Sequence, residues 1–177
     1  MTAARIIAVC LSIPVILAVG LFAYSRLNPV SIVAVTELDA SPDEVWAVLA
    51  DTERYSEWNP SIIDSSGTVA AGEKLHNTVI FGEGTMTFTP TILTAEPGRE
   101  LTWIGRMWVP GLADGEHSFR LEPLPGGATR LTQQETFTGV VVPFMTSMRA
   151  DLEADFAEVN DAIGQRAVDL RQTGAYD

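Results

Sequence analysis

The sequence predicts one α+β domain over residues 30–172: a curved antiparallel sheet of about seven strands around a long C-terminal helix, with two short helices after the first strand. Three observations carry this. A helix-capping signature stands at residues 41–44. Strand-length runs broken by turn residues fill 61–142, with no amphipathic stretch long enough for a helix. From Phe144 onward, apolar residues recur at three and four, the period of a helix.

Ahead of the domain, residues 6–24 (IIAVCLSIPVILAVGLFAY) are 19 uncharged positions between Arg5 and Arg26. As a helix they reach roughly 28 Å, close to the hydrocarbon thickness of a bilayer. Residues 1–26 therefore read as a single-pass transmembrane anchor, and Pro14 is compatible with that. The alternative is a signal peptide cut at Ala18-Val19-Gly20, although the apolar run exceeds the usual length of one. Arg5 and the free amino group against Arg26 alone orient the N-terminus to the cytoplasm and the domain to the other side.

The run VSIVAVTEL, residues 30–38, is short and β-branched, hence a first strand. Ser41-Pro42-Asp43-Glu44 supplies an N-cap, a first-turn proline and a capping-box glutamate, and Val45, Trp46, Leu49 and Ala50 form the apolar stripe behind it. A second short helix over Thr52 to Trp58 ends at Asn59-Pro60. Breaks at Ala71-Gly72, Gly82-Glu83-Gly84, Pro97-Gly98, 110–115 and Pro125-Gly126-Gly127 divide the next stretch into an antiparallel meander. The final helix carries Phe144, Met148, Leu152, Phe156, Val159 and Ile163 on one face.

All 23 acidic residues follow Leu27, against nine basic ones there, so the domain is strongly negative. Such a surface repels nucleic acid and gives no basic patch for anionic lipid. Cys10, the only cysteine, lies in the apolar segment, which leaves the domain with neither disulfide nor thiol nucleophile. Two histidines, His76 and His117, cannot make a zinc site of recognised spacing, and no cofactor is implied. His117 and Ser118 are adjacent in a strand, so their side chains point to opposite faces and do not form a nucleophile and base.

The segments SPDEVWAVLADTERYSEWNP (41–60), PGRELTWIG (97–105), GEHSFRLEPLPGGATRLTQQETFTG (115–139) and DFAEVNDAI (155–163) resemble the START-like, helix-grip superfamily. The likeness is to its bacterial SRPBCC branch of polyketide cyclase/dehydrase and lipid-transport proteins. It spans nearly the whole domain in order and excludes the apolar segment. It implies a cavity between the concave sheet and the long helix that takes apolar molecules; members include binders, carriers and some enzymes.

Within strand 115–124, His117, Phe119 and Leu121 share a face; within 129–139, Leu131, Gln133, Glu135 and Phe137 do. A turn about Gly126 sets Leu121 opposite Leu131, Phe119 opposite Gln133 and His117 opposite Glu135. On the outer face it pairs Glu122 with Arg130, an independent check on register. An imidazole and a carboxylate thus meet inside an apolar cavity, as a register-fixing buried pair, a polar anchor for a ligand, or an acid/base couple. Further inward candidates are Met86, Phe88, Trp103, Met107, Phe144, Met148, Leu152 and Phe156. Taken singly each is a core residue; together they suit an adaptable apolar cavity. Arg106, by parity with Trp103, points outward.

The expectation is a membrane-anchored domain that binds or carries a small hydrophobic molecule, with the lipid bilayer as a partner through residues 6–24. The first rival is a cyclase/dehydratase-type enzyme using His117 and Glu135. The second is a regulatory or assembly module with a vestigial cavity and a protein partner.

Overall fold

The computed structural model describes residues 3–107, 109–144 and 149–174, and their side chains except those of 3–11, Phe81 and 149–151. The expected order of elements is present. Helix α1 (Ala3–Leu27) precedes β1 (Val30–Leu38), α2 (Pro42–Ala50) and a 3-10 helix (Thr52–Glu57). Then come β2 (Ile62–Ser66), β3 (His76–Phe81), β4 (Gly84–Phe88), β5 (Thr91–Glu96), β6 (Glu100–Arg106), β7 (Asp114–Pro123) and β8 (Thr129–Thr138). A 3-10 turn (Val142–Phe144) precedes the long α3 (Arg149–Thr173).

The strands form two sheets, ordered β1-β8-β7-β6-β5 and β2-β3-β4. The chain changes sheet at Thr89-Pro90, where proline removes a ladder donor. Among the described residues, a bridge from Lys74 to Thr91 ties the segment before β3 to β5, with the Leu75 N–H donated to the Pro90 carbonyl, the Ile92 N–H to the Glu73 carbonyl and the Gly72 N–H to the Ile92 carbonyl.

Helix α2 begins as its sequence demands. The Ser41 N–H donates to Glu44 Oε2 at 2.6 Å, and the Glu44 N–H donates to Ser41 Oγ at 3.3 Å. Glu44 also lies 3.6 Å from Arg171 in the last turn of α3, so the cap residue joins two helices. Ser41→Ala is expected to cost about 1 kcal/mol, and Glu44→Ala at least as much, read from denaturant midpoints. The stripe behind the cap differs slightly from expectation: Val48 is buried with Val45 and Leu49, whereas Trp46 and Ala50 are half-buried.

The β7–β8 register is the expected one, with Leu121 opposite Leu131, Phe119 opposite Gln133, His117 opposite Glu135 and Glu122 opposite Arg130. Arg130 reaches both Glu122 (3.5 Å) and Glu37 on β1 (3.1 Å), and these carboxylates hold its guanidinium pKa above the usual value. All three side chains are solvated, so the triplet records register more than it contributes stability. Between the concave face and α3 lies a core that includes Leu38, Val45, Leu49, Leu101, Leu131 and Ile163. Tyr55 is sealed beneath it, donating its hydroxyl to the Leu49 carbonyl at 2.6 Å, and burial raises its pKa.

Phe144 corrects the expected start of the long helix. It ends the 3-10 turn instead of opening α3, and its ring is 73% exposed. The apolar period starts at the last residue of that separate turn, one position after Pro143. Met148 lies outside the described residues.

The last turn of helix α1 contacts the domain. Ser25 is fully buried, and its Oγ accepts the Gly139 N–H at 2.9 Å while donating to the Phe22 carbonyl. This bond ties the end of α1 to the exit of β8. Among the described residues no helix is long and apolar enough to cross a membrane; the described side chains of α1 begin only at Ser12.

Candidate functional site

Two facing glycines shape the floor of the site. Gly105 on β6 pairs with Gly115 on β7 at the open end of the larger sheet. The Phe88 ring lies over Gly105. A methyl group on Gly115 would come within 2.5 Å of Glu135 Oε1 and 3.1 Å of the Phe137 ring, so the bare backbone there is what lets the Glu135 carboxylate lie flat against the sheet.

His117 sits among rings, stacked on Trp103 (centroids 5.0 Å apart, planes 14° apart) and tilted against Phe119 and Phe156. Its Nδ1 is 3.4 Å from Glu135 Oε2, and its Nε2 is 3.0 Å from Gln133 Nε2. These contacts are mutually consistent. An Nδ1–H donated to the carboxylate leaves a lone pair on Nε2, which accepts from the Gln133 amide.

That arrangement uses both imidazole nitrogens and leaves a remainder. Gln133 is 2% exposed, yet its Oε1 has no partner among the described residues. A buried acceptor without a donor is uncommon and costly, which marks Oε1 as the atom awaiting a hydrogen bond. Sequence parity placed Gln133 on this face but did not distinguish its role from that of the pair. Sequence reasoning missed Asn160 on α3 and Asn77 on β3 of the smaller sheet; each is fully buried with one polar atom that has no partner among the described residues. Their only sequence signal was a polar residue at an apolar position of the period.

Of the other expected lining residues, Leu152, Phe156 and Phe137 gather with Ile32 and Ala34 beside the site. Met107 is half-buried just after β6, its N–H donated to the Ala113 carbonyl. Met86 is half-buried in β4 opposite Val79, and no described contact joins it to the His117 cluster. Arg106 is exposed, as expected. No three His, Cys, Asp or Glu side chains among the described residues are placed to hold a metal.

The family described as polyketide cyclase / dehydrase and lipid transport matches residues 29–168. No curated protein is similar in sequence. The fold is shared with the Zhui aromatase/cyclase of Streptomyces sp. R1128, at 16% identity and TM-score 0.62 over 78% of this chain and 94% of that one. A START superfamily protein from Mycobacterium smegmatis gives 17% and 0.62, over 79% and 98%. The di-domain ARO/CYC StfQ of the steffimycin biosynthetic pathway gives 13% and 0.69, over 85% of this chain and 54% of that one.

Proposed function

We propose, for a chain that belongs to the polyketide cyclase / dehydrase and lipid transport family, that it binds a small hydrophobic molecule whose polar end is a hydrogen-bond donor such as a phenol, enol or alcohol. The observation that carries this is the unpartnered Gln133 Oε1, buried beside an aromatic-walled imidazole. A ligand hydroxyl would satisfy it, while Trp103, Phe119, Phe137 and Phe156 would face the apolar body. Helix α1 serves in this reading as a single-pass anchor, with the domain on the non-cytoplasmic side, on the strength of its 19 uncharged residues between two arginines.

The cyclase or dehydratase reading comes second. Both imidazole nitrogens are engaged within the protein, so a substrate would meet Glu135 Oε1 in place of a free histidine base.

Native mass spectrometry of the detergent-extracted protein is expected to show a co-purifying apolar molecule. Displacement of an apolar fluorescent probe then tests the polar end. A naphthol should compete about tenfold better than its methyl ether, roughly the 1.4 kcal/mol of one hydrogen bond. Gln133→Met should remove that difference. Equal competition by naphthol and ether in the unaltered protein would refute the donor reading.

A further inference from the structure

We infer that an open groove between α1 and the β6–β7 loop seats an acyl chain of the surrounding bilayer, so that the rim of the domain rests in lipid. This depends on the anchor reading of α1 given above. The groove has a volume of about 450 Å³, within the range of small-molecule sites. Ala18, Val19 and Phe22 form one wall; Pro110, Gly111 and Val140 form the other.

Among the described lining residues the one charged side chain, Asp114, is already engaged. Both Asp114 carboxylate oxygens lie 3.1 Å from the Gly111 nitrogen and accept its N–H, and Arg106 stands 4.0 Å away. The junction is also fixed. The Ser25 to Gly139 bond clamps the last turns of α1 to the exit of β8, and the Phe22 ring lies against Gly111. The groove is therefore a built feature between two bound elements.

Its occupant follows from the helix that forms its wall. Along the same helix Ile13, Val15, Ile16 and Leu17 are 51%, 61%, 67% and 61% exposed, an apolar surface matched by hydrocarbon and not by water. A wall shared with that helix opens onto the same phase. Two further apolar side chains flank the groove at that end. Val109 precedes Pro110 and is 57% exposed, and Phe144 ends the 3-10 turn that packs on α1. Exposed apolar side chains beside the end of a spanning helix bury in the boundary between headgroups and acyl chains. The acidic domain gives headgroup charge no purchase, so the contact is made through apolar side chains.

The test uses the full chain in phosphatidylcholine vesicles carrying a phosphatidylcholine with a diazirine midway along one acyl chain. After illumination, label is expected on Pro110 and Val140 as well as on Ile13 and Ile16. Ala18→Trp, which fills the groove, should abolish label at Pro110 and Val140 and keep it at Ile13 and Ile16; Val19→Trp is a second filling variant should the first fail to insert. Label on Ile13 and Ile16 without Pro110 and Val140 in the unaltered protein would overturn the groove and leave the anchor standing. Absence of label at all four positions would overturn both.

Discussion

Replacing Gly139 by alanine is expected to lower the unfolding free energy by roughly 2–5 kcal/mol, the combined cost of a strained backbone and a clash that cannot relax cheaply. Gly139 has φ +139°, and a methyl group there would strike the Leu112 carbonyl and approach the Ala113 nitrogen to 2.9 Å. These obstacles are backbone, not the mobile end of a side chain. They belong to a short pairing in which the Val140 and Val141 N–H groups donate to the Gly111 and Leu112 carbonyls. Pushing the strands apart would also break the Ser25 bond that holds α1. Gly72→Ala is the control, since Gly72 has φ +89° with open space around it and should show only the conformational cost of about 1 kcal/mol. Denaturant unfolding of both variants decides the matter. Equal losses would mean that residues 139–141 do not pack on 111–113 in solution.

The second large effect concerns the polar cluster. His117→Phe keeps a ring between Trp103 and Phe156 but removes both nitrogens, leaving the Glu135 carboxylate and the Gln133 amide without their partner. A loss of roughly 1–3 kcal/mol in stability is expected, because buried polar groups lose their bonds without regaining water. Glu135→Gln should cost less, since an amide oxygen still accepts from Nδ1. The double variant should cost less than the sum of the two, with a coupling of at least about 0.5 kcal/mol. Chemical denaturation of the four proteins measures the cycle, and additive losses would show that the two side chains do not interact. His117→Ala is a poorer probe, because it also opens a void among three rings.

Much of this was legible because it rests on short-range rules. The capping box is four residues long and forms wherever the chain is free to start a helix. The hairpin register followed from alternation of apolar residues and one charge pair on the outer face, since a slip by one residue would turn an apolar set to water. That placed His117 opposite Glu135, and Gln133 beside Phe119, without any coordinates. Phe144 was misplaced because a period of three and four was started one residue after Pro143, inside a turn that tertiary packing sets.

The amino-acid sequence by itself determined the order of the elements, the pairing of β7 with β8 and the inward faces of those two strands, because each depends on periodicity and on turn or cap chemistry within a few tens of residues. Only the tertiary structure decided the rest. It split the eight described strands between two sheets at Thr89-Pro90, engaged both nitrogens of His117 while Gln133 Oε1 has no partner among the described residues, and clamped Ser25 to Gly139 across more than a hundred residues. Hydrogen-bond satisfaction depends on which groups meet in space, and a linear pattern does not encode that meeting.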